Sequence, residues 1–220
     1  MKCFVIAMEK EAAPVIAHMN VKSEETVCNK RIFRGQLFGE DVAIVICGVG
    51  KVNAAIGAQY AIDKLDADKI INIGVAGGLN SSVKTGNVYA VSQAVQYDFD
   101  LTQLNGTKTG TLDECTENYI KLALNGAYPA RNLATGDRFN DSKTDFELLT
   151  KELEADIRDM ECGAIAQVCM HAEIPLYSYK IISDLAGSGS TTEQYLKNLT
   201  VCFNTLEREL EKIIKDVNNG

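Results

Sequence analysis

The sequence predicts an α/β fold, three layers (α/β/α) with a central mixed, twisted sheet. Apolar runs of strand length alternate along the chain with segments whose apolar positions recur at helical spacing. Connections of two kinds occur: a tight link that reads as a hairpin, and crossovers that carry a helix, so parallel and antiparallel pairing share one sheet.

The elements follow in order. Lys2 to Ala7 is a continuous apolar strand, and Glu9 to His18 has helical spacing with Pro14 as a local blemish. Arg31 to Leu37 and Asp41 to Cys47 flank Phe38-Gly39-Glu40 as a hairpin. Gly48-Val49-Gly50-Lys51 turns into an Ala-rich helix, Val52 to Leu65. Lys69 to Gly74 is a strand ending in the glycine-rich turn Val75-Ala76-Gly77-Gly78-Leu79, and Gly86 to Ala94 is another strand. Leu112 to Ala127 reads as a helix, Asn132 to Thr135 as a short strand before Gly136-Asp137, and Thr144 to Glu154 as a helix. The last third gives strand Ile157 to Met160, helix Cys162 to His171, strand Pro175 to Ser183 and an amphipathic helix from about Thr192 to Val217. With no linker, repeat or low-complexity stretch, residues 1–220 read as one domain.

Composition excludes several functions. The 22 Lys and Arg against 30 Asp and Glu leave a net charge of -8, which repels nucleic acid and anionic membranes. The first apolar run is short and is followed by Glu9, Lys10 and Glu11, fitting neither a signal peptide nor a membrane span; a cytoplasmic protein is expected. Seven scattered cysteines without a CxxC pair read as buried free thiols rather than disulfides or a zinc site. With two histidines, neither a His-rich metal site nor a Ser-His-Asp triad has material, so no metal and no cofactor are expected and the chemistry falls to carboxylates.

Three acidic clusters sit at strand or helix ends. Asp184 follows the run Lys180-Ile181-Ile182-Ser183 at the C-terminal mouth of a strand, where open α/β sheets bind ligands. Asp159-Met160-Glu161 opens a small-residue helix, and Ala7-Met8-Glu9-Lys10-Glu11 follows the first strand. Acids are common at helix starts for capping alone, so each by itself is ambiguous. The glycine turns at Gly48 and Gly74 can present backbone N–H groups to an anion or a sugar hydroxyl, but they lack the spacing of a P-loop or a dinucleotide fingerprint.

The order of the motifs is more telling than any one. Ala-Met-x-x-Glu, Gly-x-Gly-Lys, Asn-x-Gly-x-Ala-Gly-Gly-Leu, Thr-Gly-Asp-x-Phe, Met-Glu and Ile-Ser-Asp occur in sequence along nearly the whole chain. In this the chain resembles the nucleoside phosphorylase/nucleosidase superfamily, and within it the 5'-methylthioadenosine/S-adenosylhomocysteine nucleosidases, which cleave the N-glycosidic bond of adenine nucleosides with water and no metal. The resemblance implies a catalytic trio. Asp184, held by Ser183, would protonate N7 and hold the exocyclic amine of adenine; Glu161 would hold the ribose hydroxyls; Glu11 would be general base on the attacking water. It further implies Met8 and Met160 at the ribose, Phe139 stacked on the purine, and Val75, Ala76, Gly77, Asn140 and Asp159 in the binding set. A homodimer is implied too, with Tyr97-Asp98-Phe99-Asp100 as a candidate contact.

The chain departs from the family pattern at several places. Val75 stands where a Ser or Thr is usual, Lys180 where an arginine is frequent, Asn140 where an aliphatic residue is usual, and Asp159 in place of a second glutamate. With no side-chain hydroxyl at Val75, water placement is expected to rest on Glu11, helped by Lys180. The alternatives are a phosphate-dependent purine nucleoside phosphorylase and a non-catalytic ligand-binding member of the fold. Scattered arginines, with no cluster to hold phosphate, favour the hydrolase.

Overall fold

The computed structural model describes residues 1–219; the expected domain runs one residue beyond it. Strand β1 (Lys2–Ile6) is followed by helix α1 (Glu9–Ala17), then by strands β2 (Met19–Val27), β3 (Lys30–Leu37) and β4 (Glu40–Ile46). Helix α2 (Lys51–Leu65) leads to β5 (Lys69–Gly78) and β6 (Val88–Gln96), with a short helix α3 (Thr102–Asn105) and a two-residue strand β7 (Ile120–Lys121) beyond. The rest is β8 (Ala130–Thr135), α4 (Lys143–Glu147) with a π turn over Leu148–Glu152, β9 (Ile157–Asp159), α5 (Cys162–Ala172), β10 (Leu176–Leu185) and α6 (Thr191–Asn218).

One mixed sheet of ten strands organises the molecule. β1 lies between β4 and β5, parallel to both, and β5 is parallel to β10. β10 pairs antiparallel with β6, β6 and β9 pair in parallel with β8, and β9 returns antiparallel to β5. Five strands therefore close into a ring, while β1, β4, β3 and β2 continue from β5 as an open sheet. β1 shows why its sequence is apolar throughout: Phe4 and Ile6 face the cluster that contains Leu206 and Leu210 of α6, while Cys3 and Val5 face Ala54 and Ala58 of α2. A strand covered on both faces cannot alternate with polar residues. The helices α1 and α6 cover one face and α2 and α5 the other, giving the three expected layers.

The structure corrects four local expectations. Residues 112–127 are not a helix: Ile120–Lys121 pairs with β6, the Leu122 and Ala123 N–H groups bond to the carbonyls of Ser92 and Leu176, and Tyr119 Oη donates to Leu153 O. Pairing with existing strand edges outcompetes helix propensity here. The glycine-rich turn after residue 74 is strand, because Gly77 and Gly78 pair with β9 on one side and β10 on the other. β2, absent from the expectation, is exposed along nearly its whole length, so no apolar alternation announced it; it is held by pairing with β3. The helix expected from Thr144 to Glu154 stops at Glu147 and goes on as the π turn, with Leu153 N bonded to Leu148 O.

Candidate active site

The parallel strands β1, β4, β5 and β10 end on one rim, and a cavity of about 320 Å³ opens there. β9 enters against them, bringing Arg158-Asp159-Met160-Glu161 to the same place. Glu11, Met8, Val75, Ala76, Gly77, Phe139, Asp159, Met160, Glu161, Ser183 and Asp184 all line this cavity. Asn140 does not. Its amide donates to Asp145 Oδ2 at 2.9 Å, away from the cavity, and only its carbonyl touches a lining residue. The family resemblance implied a pocket position for Asn140 that the loop geometry does not give.

Glu11 sits in the first turn of α1 and is buried. Its Oε2 accepts the Met8 N–H at 3.2 Å, the reach-back of a capping glutamate. Its Oε1 accepts the Val75 N–H at 2.8 Å, 64 residues away in sequence. Capping and site-building are thus combined in one carboxylate. The approach needs a bare backbone, since a Cβ on Gly74 would lie 2.6 Å from Glu11 Oε1. Burial raises the Glu11 pKa above the ordinary carboxylate value.

Glu161 lies at the start of α5 and accepts the Gly50 N–H at 2.9 Å. Burial first, then the charge of Asp159, pushes its pKa up to about 7, against the pull of Lys180 and the Gly50 N–H. Asp184 is aimed by a bulge in β10: Ile182 pairs with Ala76 and Asp184 with Gly77, leaving Ser183 as the extra residue. Ser183 Oγ donates to Asp184 Oδ1 at 2.6 Å. Burial raises the Asp184 pKa, with Ser183 and the Arg158 charge opposing.

Lys180 does not line the cavity. Its ammonium is buried 2.8 Å from Asp159 Oδ2, whose carboxylate also accepts Thr135 Oγ1 at 2.6 Å and the Cys162 N–H at 3.0 Å. Burial works against that ammonium, but Asp159, with Cys162 and Glu161 behind it, holds its pKa above the ordinary lysine value. Lys180 therefore anchors Asp159 beneath the site and is not free to place a water.

Tyr195, from the first turns of α6, roofs the cavity, and sequence reasoning missed it. Its hydroxyl donates to Met8 Sδ at 3.8 Å and its ring meets Phe139 edge-on at 5.4 Å. Burial and then the charges of Glu11, Asp184 and Glu161 raise its pKa, so all three carboxylates bear on one phenol. Val49, Arg158, Thr192 and Leu196 were also missed. The one signal for them was the aromatic-aliphatic pair Tyr195-Leu196 in the otherwise polar first turns of an amphipathic helix; Arg158 carried none beyond standing next to Asp159.

The segment Tyr97-Asp98-Phe99-Asp100 is engaged within its own chain: Tyr97 is buried, and Asp98 binds Lys51 Nζ at 2.5 Å and accepts the Asp137 N–H. Among the described residues no cluster of three or more His, Cys, Asp or Glu has the arrangement to hold a metal ion, and no helix is long and apolar enough to cross a membrane.

Three buried carboxyls thus share one cavity at the rim of a mixed sheet. Residues 2–217 match the Phosphorylase superfamily. The chain belongs to that superfamily. A 5'-methylthioadenosine/S-adenosylhomocysteine nucleosidase from Marinomonas sp. is 32% identical over 208 residues, 87% of this chain and 89% of its own, which places the chain in the nucleosidase branch. The solved nucleosidase of Colwellia psychrerythraea, in complex with adenine, superposes with a TM-score of 0.88 at 26% identity, covering 98% of this chain and 95% of the other. The futalosine hydrolase of Helicobacter pylori shares the fold, with a TM-score of 0.89 at 22% identity over 97% of both chains.

Proposed function

We propose that this superfamily member hydrolyses the N-glycosidic bond of a 5'-substituted adenine nucleoside, of the kind its relatives are named for, 5'-methylthioadenosine or S-adenosylhomocysteine, and releases the base. The observation that carries the reading is the convergence of Glu11, Glu161 and Asp184 on one cavity, each with its pKa raised by burial. Cleavage passes through an oxocarbenium-like state, so it needs an acid at the departing base, negative charge at the sugar and a base for the nucleophile. Burial raises the Asp184 pKa and so favours the acid form that donates to N7, and the Ser183 hydroxyl, donating at 2.6 Å, steadies the carboxylate left behind. Glu161, fixed by the Gly50 N–H, faces the ribose, and Glu11, held by two backbone N–H groups, takes the proton of the attacking water.

Water rather than phosphate is the nucleophile, because a phosphate beside Glu11 would face carboxylates without a clamp. Arg158 is the one cation lining the cavity among the described residues and it stands at the Asp184 end, while Lys180 is spent on Asp159. We infer further that the protein works as a homodimer: Val49 at the cavity rim continues on α2 into Val52 and Ile56, all exposed, and Leu104 is 81% exposed. Seven free cysteines fit a reducing, cytoplasmic setting, with residues 1–220 as one domain.

The test is adenine release from 5'-methylthioadenosine in phosphate-free buffer. Release that requires phosphate and yields a sugar 1-phosphate would replace the hydrolase with a phosphorylase.

A further inference from the structure

Arg158 lines the active-site cavity with most of its donors unspent within the protein. It is 9% exposed, its Nη2 donates to the Asn140 carbonyl at 2.8 Å, and among the described residues its Nε and Nη1 have no acceptor and no carboxylate lies within ion-pair distance. It stands between the active-site cavity and a second cavity of about 440 Å³ lined by Asn140, Ser142, Lys143 and Gly187. A guanidinium carries five N–H donors, and those of Arg158 not spent on the Asn140 carbonyl are open to the two cavities it lines, where an acceptor on a bound molecule can meet them.

Arg158 is also at the base-reading end. The point where a Gly77 Cβ would sit is 3.0 Å from Asp184 Oδ2 and 3.3 Å from Arg158 Nε, so carboxyl and guanidinium converge on the same bare stretch of β5. The C6–N7 edge of a purine distinguishes the two common base types. Adenine offers a donor at N6 and an acceptor at N7, which a protonated carboxyl satisfies alone. A 6-oxopurine offers acceptors at both O6 and N7, and an arginine is the side chain that most often pairs with that edge.

We propose that Arg158 is a specificity residue that admits 6-oxopurine nucleosides to this site, donating to O6 while Asp184 serves N7. The proposal rests on the nucleoside reading above and extends it from adenine to the hypoxanthine and guanine class. Adenine remains a substrate through Asp184, with nothing for Arg158 to donate to.

The experiment measures binding of the free bases hypoxanthine and adenine by calorimetry, together with base release from inosine and adenosine, for the wild type, Arg158→Met and Arg158→Lys. The wild type is expected to bind hypoxanthine at least as tightly as adenine. Arg158→Met, which keeps the apolar stem, is expected to weaken hypoxanthine by about 10- to 100-fold and adenine much less, the size of one hydrogen bond to a charged donor; Arg158→Lys falls between. Hypoxanthine binding 100-fold weaker than adenine in the wild type, which needs no folded variant, would overturn the proposal, as would parallel loss of both bases in Arg158→Met. Base preference as expected without any glycosidic cleavage would support Arg158 as the base reader and sink the hydrolase reading instead.

Discussion

Lys180 Nζ lies 2.8 Å from Asp159 Oδ2 with both side chains almost wholly buried, directly beneath the cavity that Asp159 helps to line. The pair ties β10 to β9 through a side-chain contact, and the Cys162 N–H and Thr135 hydroxyl complete the carboxylate's shell. A buried pair of this kind is costly to break on one side only. Lys180→Met is expected to lose about 3–5 kcal/mol of stability, because it strands a buried carboxylate. The double variant Lys180→Met with Asp159→Asn is expected to recover much of that loss. Urea unfolding of the three proteins checks it; equal stabilities of the single variant and the wild type would show that the pair contributes little.

Glu161 links stability to pH. Its carboxyl ionises near 4.5 when unfolded and at about 7 in the folded protein. Between those values the unfolded chain binds fewer protons than the native one, so stability falls as pH rises through that window and stays lower above it. The difference is roughly 3 kcal/mol at most. Glu161→Gln, which still accepts the Gly50 N–H, is therefore expected to melt above the wild type at pH 8 and near it at pH 4.5. A melting difference independent of pH would remove Glu161 as the titrating group.

Asp184→Asn is nearly isosteric but cannot give a carboxylic proton to N7. A kcat lower by roughly 100-fold or more, with the melting temperature little changed, is expected if proton donation is central. Because burial raises its pKa, Asp184 also sets the alkaline limb of the wild-type rate profile: donation is lost as pH rises through that pKa. Persistence of the same limb in Asp184→Asn would assign it to another group.

The placement of Glu11 can be tested without altering its chemistry. A Cβ at Gly74 would lie 2.6 Å from Glu11 Oε1, so Gly74→Ala is expected to displace the carboxylate and cut kcat by about 100-fold, the scale of a misplaced reacting group. Glu11→Gln should abolish hydrolysis while nucleoside binding survives, and loss of both together would make Glu11 structural. Val75→Ser should leave activity equal or higher, since Val75 supports Glu11 through its backbone N–H, which the substitution retains. A severe loss in a folded Val75→Ser protein would show that the valine side chain itself shapes the substrate pocket.

The sequence by itself determined the α/β class, the run of most strands and helices, and the candidate carboxylates, because a strand buried on both faces must be apolar and acids collect where such strands end. β1, the β3–β4 hairpin, α2 and α6 were legible for that reason. Tertiary structure decided what depends on partners distant in the chain. Residues 112–127 took the edges offered by β6 and β10 in place of a helix, and Gly77 and Gly78 became strand because β9 and β10 enclosed them. The same holds for the site. Lys180 had a sequence position suggesting a role in water placement, and only the fold put Asp159 against it; Arg158 stood as one of several scattered arginines and Tyr195 as no candidate until β9 and α6 carried them to Asp184 and Met8. Periodicity and motif order report what each segment requires of its surroundings, whereas which donor meets which acceptor is fixed only when the sheet closes and burial makes every unmatched polar group costly.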